Sequence, residues 1–500
     1  MIMRNLYRWP VLFCLFFCSL LQAQDAIPRR TLSLHEAIAI AVDSSLSALR
    51  ARNVFMSSYW EYRSFKADRL PSLKLSFVPG QYNRTIVRRY DSSSDLDVFR
   101  PQQTFEMYGG VSLLQNIDLT GGQLYINTNL DYIRNIGNNT YTQYTTVPLR
   151  IGYSQNLIGY NAFRWEKRIA PIKYTQAQKR LIYNIENTSV SAVIYFFSLA
   201  KAQIQADLAA EHVMNADTLY CIGRERFSIA AISQSDLLTL NLDYINAQNA
   251  YKQAEITLQR AMKALSAFLN IDSRTLITLD LPSPRKYITI PIKKALDAAH
   301  ANNPDLIAYR QSVLEREQSV QKAKSEVLFN ASVSASVGFN QVAPELSDAY
   351  RDLLQQDIVA LNVTIPIVDW GVRRGRYNMA RNDLNVTSIS AKQNIIELEE
   401  EVMMTVDDFN MQYDIIASTE EALALADQAY AQTLQRFKIG KADMSALTLS
   451  RQRQQVARQN YIVALEDYWE NYYRIRMLTL FDFENDRPLG DSVNDVFDLQ

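Results

Sequence analysis

The stretch from Ile395 to Phe437, IIELEEEVMMTVDDFNMQYDIIASTEEALALADQAYAQTLQRF, decides the fold because it keeps an apolar residue at every seventh position. This seam consists of Ile395, Val402, Phe409, Ile416, Leu423, Tyr430 and Phe437. A strict seven-residue apolar repeat is typical of a helix that supercoils against a neighbour. The stretch therefore predicts one long helix of a left-handed coiled coil.

A second copy of this seam lies 210 residues earlier, with an apolar or small residue at every matching position: Ile185, Ala192, Leu199, Ala206, Val213, Tyr220 and Phe227. Self-similarity at a fixed distance indicates a duplicated architecture. We expect a first repeat over residues 24–280, a second repeat over 281–483 and a C-terminal tail over 484–500. The amphipathic patterns predict an initial helix from Thr31 to Asp68 and further helices at 163–222, 234–270, 292–327, 371–437 and 444–478.

The N-terminus has the pattern of a secretory signal. Arg4 and Arg8 precede an apolar segment over residues 11–21, and Ala23 offers a small residue for cleavage, so we predict a signal peptide over 1–23. Cys18 could instead be a lipid-attachment site, although the residues before it are not small. Cleavage would leave Cys221 as the single cysteine, which excludes an intrachain disulfide. The formal charge of −1 gives no footprint for nucleic-acid binding.

Six stretches alternate between apolar and polar residues with the period of a half-buried strand: 72–90, 104–118, 121–135, 146–157, 331–341 and 358–367. About ten residues suffice for a tilted strand to cross a bilayer. A soluble β-sandwich would show the same alternation. The tyrosines that crowd the first strand region, such as Tyr82, Tyr132 and Tyr144, favour a membrane barrel with aromatic girdles.

The first repeat carries about 50 extra residues between its first strand and Val147. They contain a predicted hairpin over 105–134, turning at Thr120-Gly121-Gly122. We expect this hairpin to add two strands to the barrel. We also expect long polar loops on either side of it, near residues 91–95 and 135–146.

Several short motifs, together with this 210-residue spacing, resemble those of the TolC family of outer-membrane efflux channels. They are Asn303-Pro304-Asp305-Leu306, the segments 155–160 and 365–371 where strands give way to helices, and the helix ends at Arg226-Phe227 and 436–440. The resemblance extends over about residues 32–483. It implies a mainly α fold with membrane β structure, a duplicated stave in which three chains close one outer-membrane β-barrel and one long α-helical barrel.

The family resemblance further implies a function in conduction. The chain would be a homotrimeric exit duct in the outer membrane of a Gram-negative-type cell, extending into the periplasm. Its partners would be a periplasmic adaptor (membrane fusion protein), an inner-membrane pump and outer-membrane lipid, in a tripartite efflux or type I secretion system. No cofactor, metal or catalytic group is implied. Cargo and pump class, proton-driven or ABC, are not encoded recognisably.

The resemblance also assigns roles to individual residues. Adaptor contacts at the periplasmic tips would involve Phe227, Ile229, Phe437, Ile439 and Gly440, and strand-to-helix corners would lie at Gly159, Asp369, Trp370 and Gly371. The candidate aperture acids are Asp236 and Asp443. Asp236 could equally cap the N-terminus of its helix.

Two other classes of protein compete with a channel. An enzyme would have to use His35, His212 or His300, which are widely separated along the chain and lack the spacing of a metal site. A periplasmic coiled-coil adaptor or envelope scaffold without a pore would also use long helical hairpins. Adaptors, however, place one hairpin between flanking β-domains, whereas this chain has two helix-strand-helix halves.

Overall fold

The computed structural model describes residues 29–93, 95–137, 140–283, 288–439 and 441–489. The predicted signal peptide, Gly440 and most of the predicted tail lie outside this part of the chain. The helices are α1 (Leu34–Ser44), α2 (Leu46–Ala67), α3 (Ala162–Ser228), α4 (Gln234–Leu269), α5 (Ile292–Asn302), α6 (Pro304–Val327), α7 (Val372–Lys438) and α8 (Met444–Thr479). None of these helices combines the length and the hydropathy that a bilayer-crossing helix needs.

The strands are β1 (Arg29–Ser33), β2 (Ser72–Asp91), β3 (Leu96–Ile117), β4 (Gly122–Ile136), β5 (Tyr141–Ile158), β6 (Leu276–Asp280), β7 (Asn330–Ala343), β8 (Leu354–Thr364), β9 (Phe481–Asp482) and β10 (Arg487–Pro488). Strands β2, β3, β4, β5, β7 and β8 form one sheet in that order, with every neighbouring pair antiparallel. The inserted hairpin β3–β4 is therefore part of the main sheet, between β2 and β5.

Equivalent helices and strands of the two repeats are separated by constant numbers of residues. Helices α7 and α8 begin and end 210 residues after α3 and α4, with 67 and 36 residues in each case. Helices α5 and α6 and strand β7 begin 258 residues after α1, α2 and β2. The insertion in the first repeat is thus 48 residues, the difference between these two offsets, and it accounts for the extra hairpin.

The compact units do not coincide with the repeats. A helical unit comprises the described residues up to 54, 179–303 and those from 398 onward, and a sheet unit comprises 55–178 and 304–397. Each unit draws on both repeats, because α3 and α7 each contribute to both units. The predicted division at residue 280 therefore separates sequence repeats and not compact bodies.

The core of the helical unit is built on the coiled-coil seams. Val402, Phe409 and Ile416 of α7 are buried, as are Ala192 and Leu199 of α3. Around them pack the fully buried Phe196 and Phe197 and the aromatic residues of α8, which are Tyr468, Trp469, Tyr472 and Tyr473. The seams open toward the ends: Phe227 is exposed and Ile395 and Phe437 are half-buried.

A charged pair is also buried in this unit. The Arg476 guanidinium binds both carboxylate oxygens of Glu186 at 3.0 Å, and its Nη1 lies 3.7 Å from Asp482. Such a pair is tolerated in a core because the bidentate geometry satisfies both charges. It joins α3 to the end of α8.

Four expectations from the sequence need correction. The helix predicted over 292–327 is broken at Asn303, whose backbone is extended because the following Pro304 disfavours the helical conformation in the residue before it. The helix predicted from Thr31 to Asp68 begins only at Leu34 and is interrupted at Ser45, whose backbone is extended and whose hydroxyl caps α2. The parallel pair β1–β6, predicted from neither segment, joins residues almost 250 positions apart.

The remaining two corrections concern the sheet. The strand predicted over 358–367 ends at Thr364, just before Ile365-Pro366, since proline cannot donate to a ladder. The long polar loops expected beside the hairpin are short reversals, between Asp91 and Leu96 and between Ile136 and Tyr141. Residues 135, 136 and 141–146 pair within the sheet, whereas the chain turns between Asp91 and Leu96 as expected.

Candidate functional site

The first predicted tip is a tight connection between α3 and α4. Ala230 adopts a left-handed backbone with φ of 59°, and the amide of Ala231 donates to the Arg226 carbonyl at 2.8 Å. This arrangement closes the C-terminus of α3 in the manner usually served by glycine. Phe227 and Ile229, the predicted adaptor contacts, are both exposed here.

The second predicted tip connects α7 and α8 and has an equivalent backbone hydrogen bond. The Lys441 amide donates to the Arg436 carbonyl at 2.8 Å, which matches the Ala231–Arg226 bond. Ile439 is exposed, Phe437 is half-buried and Gly440 lies outside the described residues. Arg226 Nη2 also donates to the Lys438 carbonyl at 3.4 Å, so the two tips contact each other within the helical unit.

Both candidate aperture acids cap a helix. Asp236 forms a capping box with Ser233: its amide donates to Ser233 Oγ at 3.1 Å, while its Oδ2 accepts from the Ser233 amide at 3.1 Å. These hydrogen bonds from Ser233 lower the pKa of Asp236 below its ordinary value. Asp443 Oδ1 accepts from the Ala446 amide at 2.8 Å. Both carboxylates are exposed, so capping leaves their outer lone pairs available.

A layer of polar side chains lies about seven residues from the tips along α4, α7 and α8. It was not predicted from the sequence. His212 of α3 contacts Arg451 of α8, and its Nε2 lies 3.9 Å from Asp243 Oδ1 of α4. Tyr430 of α7 accepts from the Asn215 amide at 3.1 Å. A cavity of about 290 Å³ adjoins this layer. No local pattern indicates this layer, because its five side chains come from four different helices.

The surroundings of His212 lower the pKa of its imidazole. Burial lowers the pKa of His212, and the adjacent Arg451 cation lowers it further, against a smaller raising effect of Asp243. The neutral imidazole can accept from the guanidinium, whereas a protonated ring would place two cations together. The contact between α3 and α8 at this layer is therefore sensitive to protonation.

The predicted corners lie in the sheet unit, at the edge where strands give way to helices. Asp369 accepts through Oδ1 from the Gly371 amide at 3.0 Å and through Oδ2 from the Arg373 amide at 3.2 Å. These bonds, that from Gly371 foremost, lower the pKa of Asp369. Trp370 takes a left-handed backbone with φ of 54° and its side chain is 94% exposed. Gly159 lies at the matching position between β5 and α3.

A second set of bonds fixes the first corner. Asn161 Oδ1 accepts from the Arg164 amide at 3.0 Å at the start of α3, and its Nδ2 donates to the Asp118 carbonyl at 3.1 Å in the β3–β4 turn. Arg69 Nε lies 3.3 Å from Asp118 Oδ2. The inserted hairpin is thereby tied to the end of α2 and the beginning of α3.

The main sheet has one apolar and one polar face, as the cross-strand register shows. Residues paired across the ladders share a face, and the apolar face includes Leu75, Val111, Ile126, Ile151, Val337 and Val359. The opposite face carries Ser76, Ser112, Asn127, Arg150, Ser336 and Gln356, with Arg150 bonded to Gln356. Leu75 is 76% exposed and Val359 is 77% exposed. A continuous apolar face with such exposed side chains indicates a surface that contacts lipid or another protein.

The comparisons with known proteins agree with this geometry. Residues 295–479 match the sequence profile of a family described as outer membrane efflux protein (OEP). No curated protein sequence matches the chain significantly.

Solved structures of outer-membrane channels share the fold. The Campylobacter jejuni CmeC outer membrane channel is 14% identical, with a TM-score of 0.65 over 93% of this chain and 88% of its own. The outer-membrane channel OprN is 14% identical, with a TM-score of 0.64 over 90% of each chain. The MtrE outer membrane channel of Neisseria gonorrhoeae is 15% identical, with a TM-score of 0.57 over 89% and 88%.

All three of these solved structures are described as outer-membrane channels. The resemblance to TolC-like outer membrane efflux proteins is confirmed, by sequence over residues 295–479 and by fold over about nine-tenths of the chain.

Proposed function

We propose that three copies of this chain form an outer-membrane channel that continues as a periplasmic helical tunnel and serves as the exit duct of an efflux or type I secretion system. The observation that carries the proposal is the six-stranded sheet, with an exposed apolar face, a polar face and two edges. Conduction through such a duct requires no covalent chemistry in this chain.

The apolar face supports contact with lipid. Along most of each strand its residues alternate with those of the polar face, which is the pattern of a barrel wall between hydrocarbon and a wet lumen. In a soluble sandwich a second sheet would cover the apolar face. Among the described residues, the other two sheets have two strands each, which is too few to cover six.

The edges support closure between copies. Strands β2 and β8 each have one neighbour in the described part of the chain, so each leaves a row of backbone donors and acceptors. Open edges are not tolerated in hydrocarbon, where no water can satisfy them. Because β2 and β8 run antiparallel in the sheet, β8 of one chain can pair with β2 of the next. Three sheets of six strands would close a barrel of eighteen.

Exposed apolar stripes support a helical tunnel built from several chains. Helix α7 exposes Met404, Met411 and Leu425, helix α8 exposes Leu449, Val456 and Val463, and helix α4 exposes Leu238 and Ile245. Members of each stripe are seven residues, or a multiple of seven, apart. Such a stripe packs against another helix, and we assign these stripes to contacts with neighbouring copies.

Aromatic residues fit the two interfaces of a bilayer. Trp370 is exposed at the helical edge of the sheet, next to the exposed Ile365 and Ile367. Toward the opposite ends of the strands, Tyr132 and Tyr144 are paired across β4 and β5 with ring centroids 5.3 Å apart. Tryptophan and tyrosine are enriched at both membrane–water boundaries.

The tips are the proposed docking points for partners. Phe227, Ile229 and Ile439 are exposed apolar side chains at helix ends and suit a periplasmic adaptor that links the duct to an inner-membrane pump. Three Asp236 carboxylates, one per chain, would favour cations at a narrow entrance. An Asp236→Asn variant, which keeps the size of the capping side chain, should lower cation selectivity in single-channel recordings, and unchanged selectivity would remove Asp236 from the aperture.

Fractionation of cells that express the chain tests the proposal. The mature protein should be recovered in outer-membrane extracts and should run as a trimer in detergent gels until heated. Recovery as a water-soluble monomer in the periplasm would instead favour an adaptor or scaffold without a pore.

A further inference from the structure

Strands β2 and β3 continue well beyond the rest of the sheet. The ladder between β3 and β4 begins at Gln103, yet β2 and β3 pair with each other for seven more positions, from Thr85–Gln102 to Asp91–Leu96. We call this two-stranded extension the arm, residues 85–91 and 96–102. At about 3.3 Å per residue it reaches roughly 23 Å past the end of the shared sheet.

The arm continues both faces of the sheet. Phe105 shares the apolar face with Val111, because the two residues are six apart along β3, and Phe105 pairs with Tyr82. Beyond Tyr82 the same face carries the pairs Arg84–Gln103, Ile86–Pro101, Arg88–Phe99 and Tyr90–Asp97. The opposite face carries Val87–Arg100 and Asp91–Leu96.

An aromatic belt separates the apolar band from these arginines. Tyr82, Phe105, Tyr132 and Tyr144 lie on the apolar face near the end that is remote from the helices. Arg134 pairs with Phe105 on this face, so it lies at the level of the belt next to Arg84. Both arginines are exposed. A barrel in lipid would hold such a belt at the boundary between acyl chains and headgroups.

The face at the belt and beyond it carries both positive charges and exposed apolar side chains. Arg88 Nη2 lies 3.0 Å from Asp97 Oδ2, and Arg84 and Arg134 add two further positive charges, so these four groups carry a net charge of +2. Between them Ile86 is 69% exposed and Phe99 is 71% exposed. A two-stranded hairpin is marginally stable alone, and covering these side chains would stabilise the arm.

We propose that the surface where the arm joins the sheet, with Arg84 of β2 and Arg134 of β4 at its centre, binds the phosphate groups of the phosphorylated glycolipid in the outer leaflet, with lipid A as its chemical type. Arg84 and Arg134 present planar guanidinium groups that match phosphate oxygens in a bidentate manner. Ile86 and Phe99, which lie beyond Arg84, contact the apolar faces of the sugars. Charge complementarity and continuity with the lipid-facing side of the sheet select this occupant over a second protein.

This inference rests on the proposed orientation of the sheet in the outer membrane, with the helices in the periplasm. The purified mature trimer is placed in nanodiscs of phosphatidylcholine, and binding of lipid A is compared with binding of phosphatidylethanolamine. The test variant is Arg84→Gln with Arg134→Gln. The control variant, Lys74→Gln with Arg100→Gln, removes two positive charges from the opposite face of the same sheet, one on β2 and one on β3.

We expect the wild type and the control variant to bind lipid A in preference to phosphatidylethanolamine, and the test variant to bind lipid A about tenfold or more weakly, since it loses two charge-assisted contacts to phosphate. Equal affinity of the wild type for the two lipids, or equal weakening in both variants, would overturn the proposal. If the test variant fails to assemble, the single variants Arg84→Gln and Arg134→Gln replace it.

Two further outcomes separate the alternatives. If Phe99→Ser destabilises the trimer while lipid A binding is unchanged, the arm contacts a neighbouring copy and the lipid proposal is wrong. If the wild type forms no trimer and no pore, the proposed channel function fails. A conducting trimer without preference for lipid A contradicts the arm proposal alone.

Discussion

The main sheet and the helical unit both expose apolar side chains, but with different periods. On the sheet the exposed apolar residues alternate with polar ones and form a face continuous across six strands, including Leu75 and Val359. On the helices they recur every seven residues, as in Met404 and Met411. A continuous face suits a fluid apolar medium, whereas a narrow heptad stripe suits another helix. The period of exposure thus indicates what covers each surface.

The largest expected effect separates the two faces of one strand. Leu75→Arg places a charge on the lipid-facing side, at a cost of about 2–4 kcal/mol per chain near the bilayer centre. Each of the three chains in the trimer would carry this cost. We expect the heat-modifiable trimer to disappear from outer-membrane extracts. The adjacent Ser76→Arg, on the polar face, should assemble normally, and equal loss in both variants would contradict the assignment of the faces.

The helical stripe is the next target. Met411→Glu should weaken association of the chains, because burial of a methionine side chain contributes about 1.5–3 kcal/mol and the variant would also bury a charge. The trimer of this variant should dissociate at a lower detergent concentration or a lower temperature than the wild-type trimer. Ala417→Glu introduces the same charge on another exposed face of α7 and serves as control. An unchanged trimer in the Met411 variant would remove this stripe from the contact between copies.

The polar layer near the tips predicts a dependence on pH. The pKa of His212 is lowered in the folded chain from its ordinary value of 6.5, so the unfolded chain binds the proton more readily and folding is disfavoured as pH falls below about 6.5. The groups that face His212 are Arg451 of α8 and Asp243 of α4. The melting temperature of the wild type should fall between pH 7.5 and pH 5.5. This fall should be smaller in the His212→Gln variant.

His300→Gln is the matched control, since it removes a histidine elsewhere in the same unit, where Nε2 lies 2.9 Å from Glu399. The drop should remain in this variant. A drop of the same size in His212→Gln would show that the layer is not the origin of the pH dependence.

The smallest expected effect concerns the first tip. Ala230 holds a left-handed backbone, which costs an L-residue about 1–2 kcal/mol, whereas glycine adopts it freely at some cost in chain entropy. Ala230→Gly should therefore slow hydrogen exchange at the tip by several-fold. Ala231→Gly, whose backbone is not left-handed, should leave exchange unchanged or faster. The reverse ranking would contradict the conformation at the tip.

Patterns of fixed period were readable from the sequence, whereas contacts between distant segments were not. The heptad seam through Val402 and Phe409 and the alternation in β2 and β7 are local properties of the chain. The break at Asn303 was missed because the amphipathic pattern continues through Pro304. Residues 85–90 of the arm fall within the predicted strand 72–90, whereas residues 96–102 were assigned to no strand because aspartate, arginine and proline interrupt the apolar alternation there.

The candidate site shows the same limit. Exposed tip residues such as Phe227 and Ile439 follow from helix ends and could be named in advance. The capping box of Asp236 was foreseen as one of two alternatives. The contact of His212 with Arg451 joins residues 239 positions apart, and nothing in their local sequence indicates it.

Modification of single cysteines during conductance recordings tests the central claim, that three copies close the sheet into a pore with its polar face toward water. In a Cys221→Ser background, Ser336→Cys lies on the polar face and Val337→Cys on the apolar face of β7. A water-soluble thiol reagent should reduce single-pore conductance in up to three steps for Ser336→Cys and leave Val337→Cys unchanged. Absence of conductance, or block at position 337 but not at 336, would contradict the account.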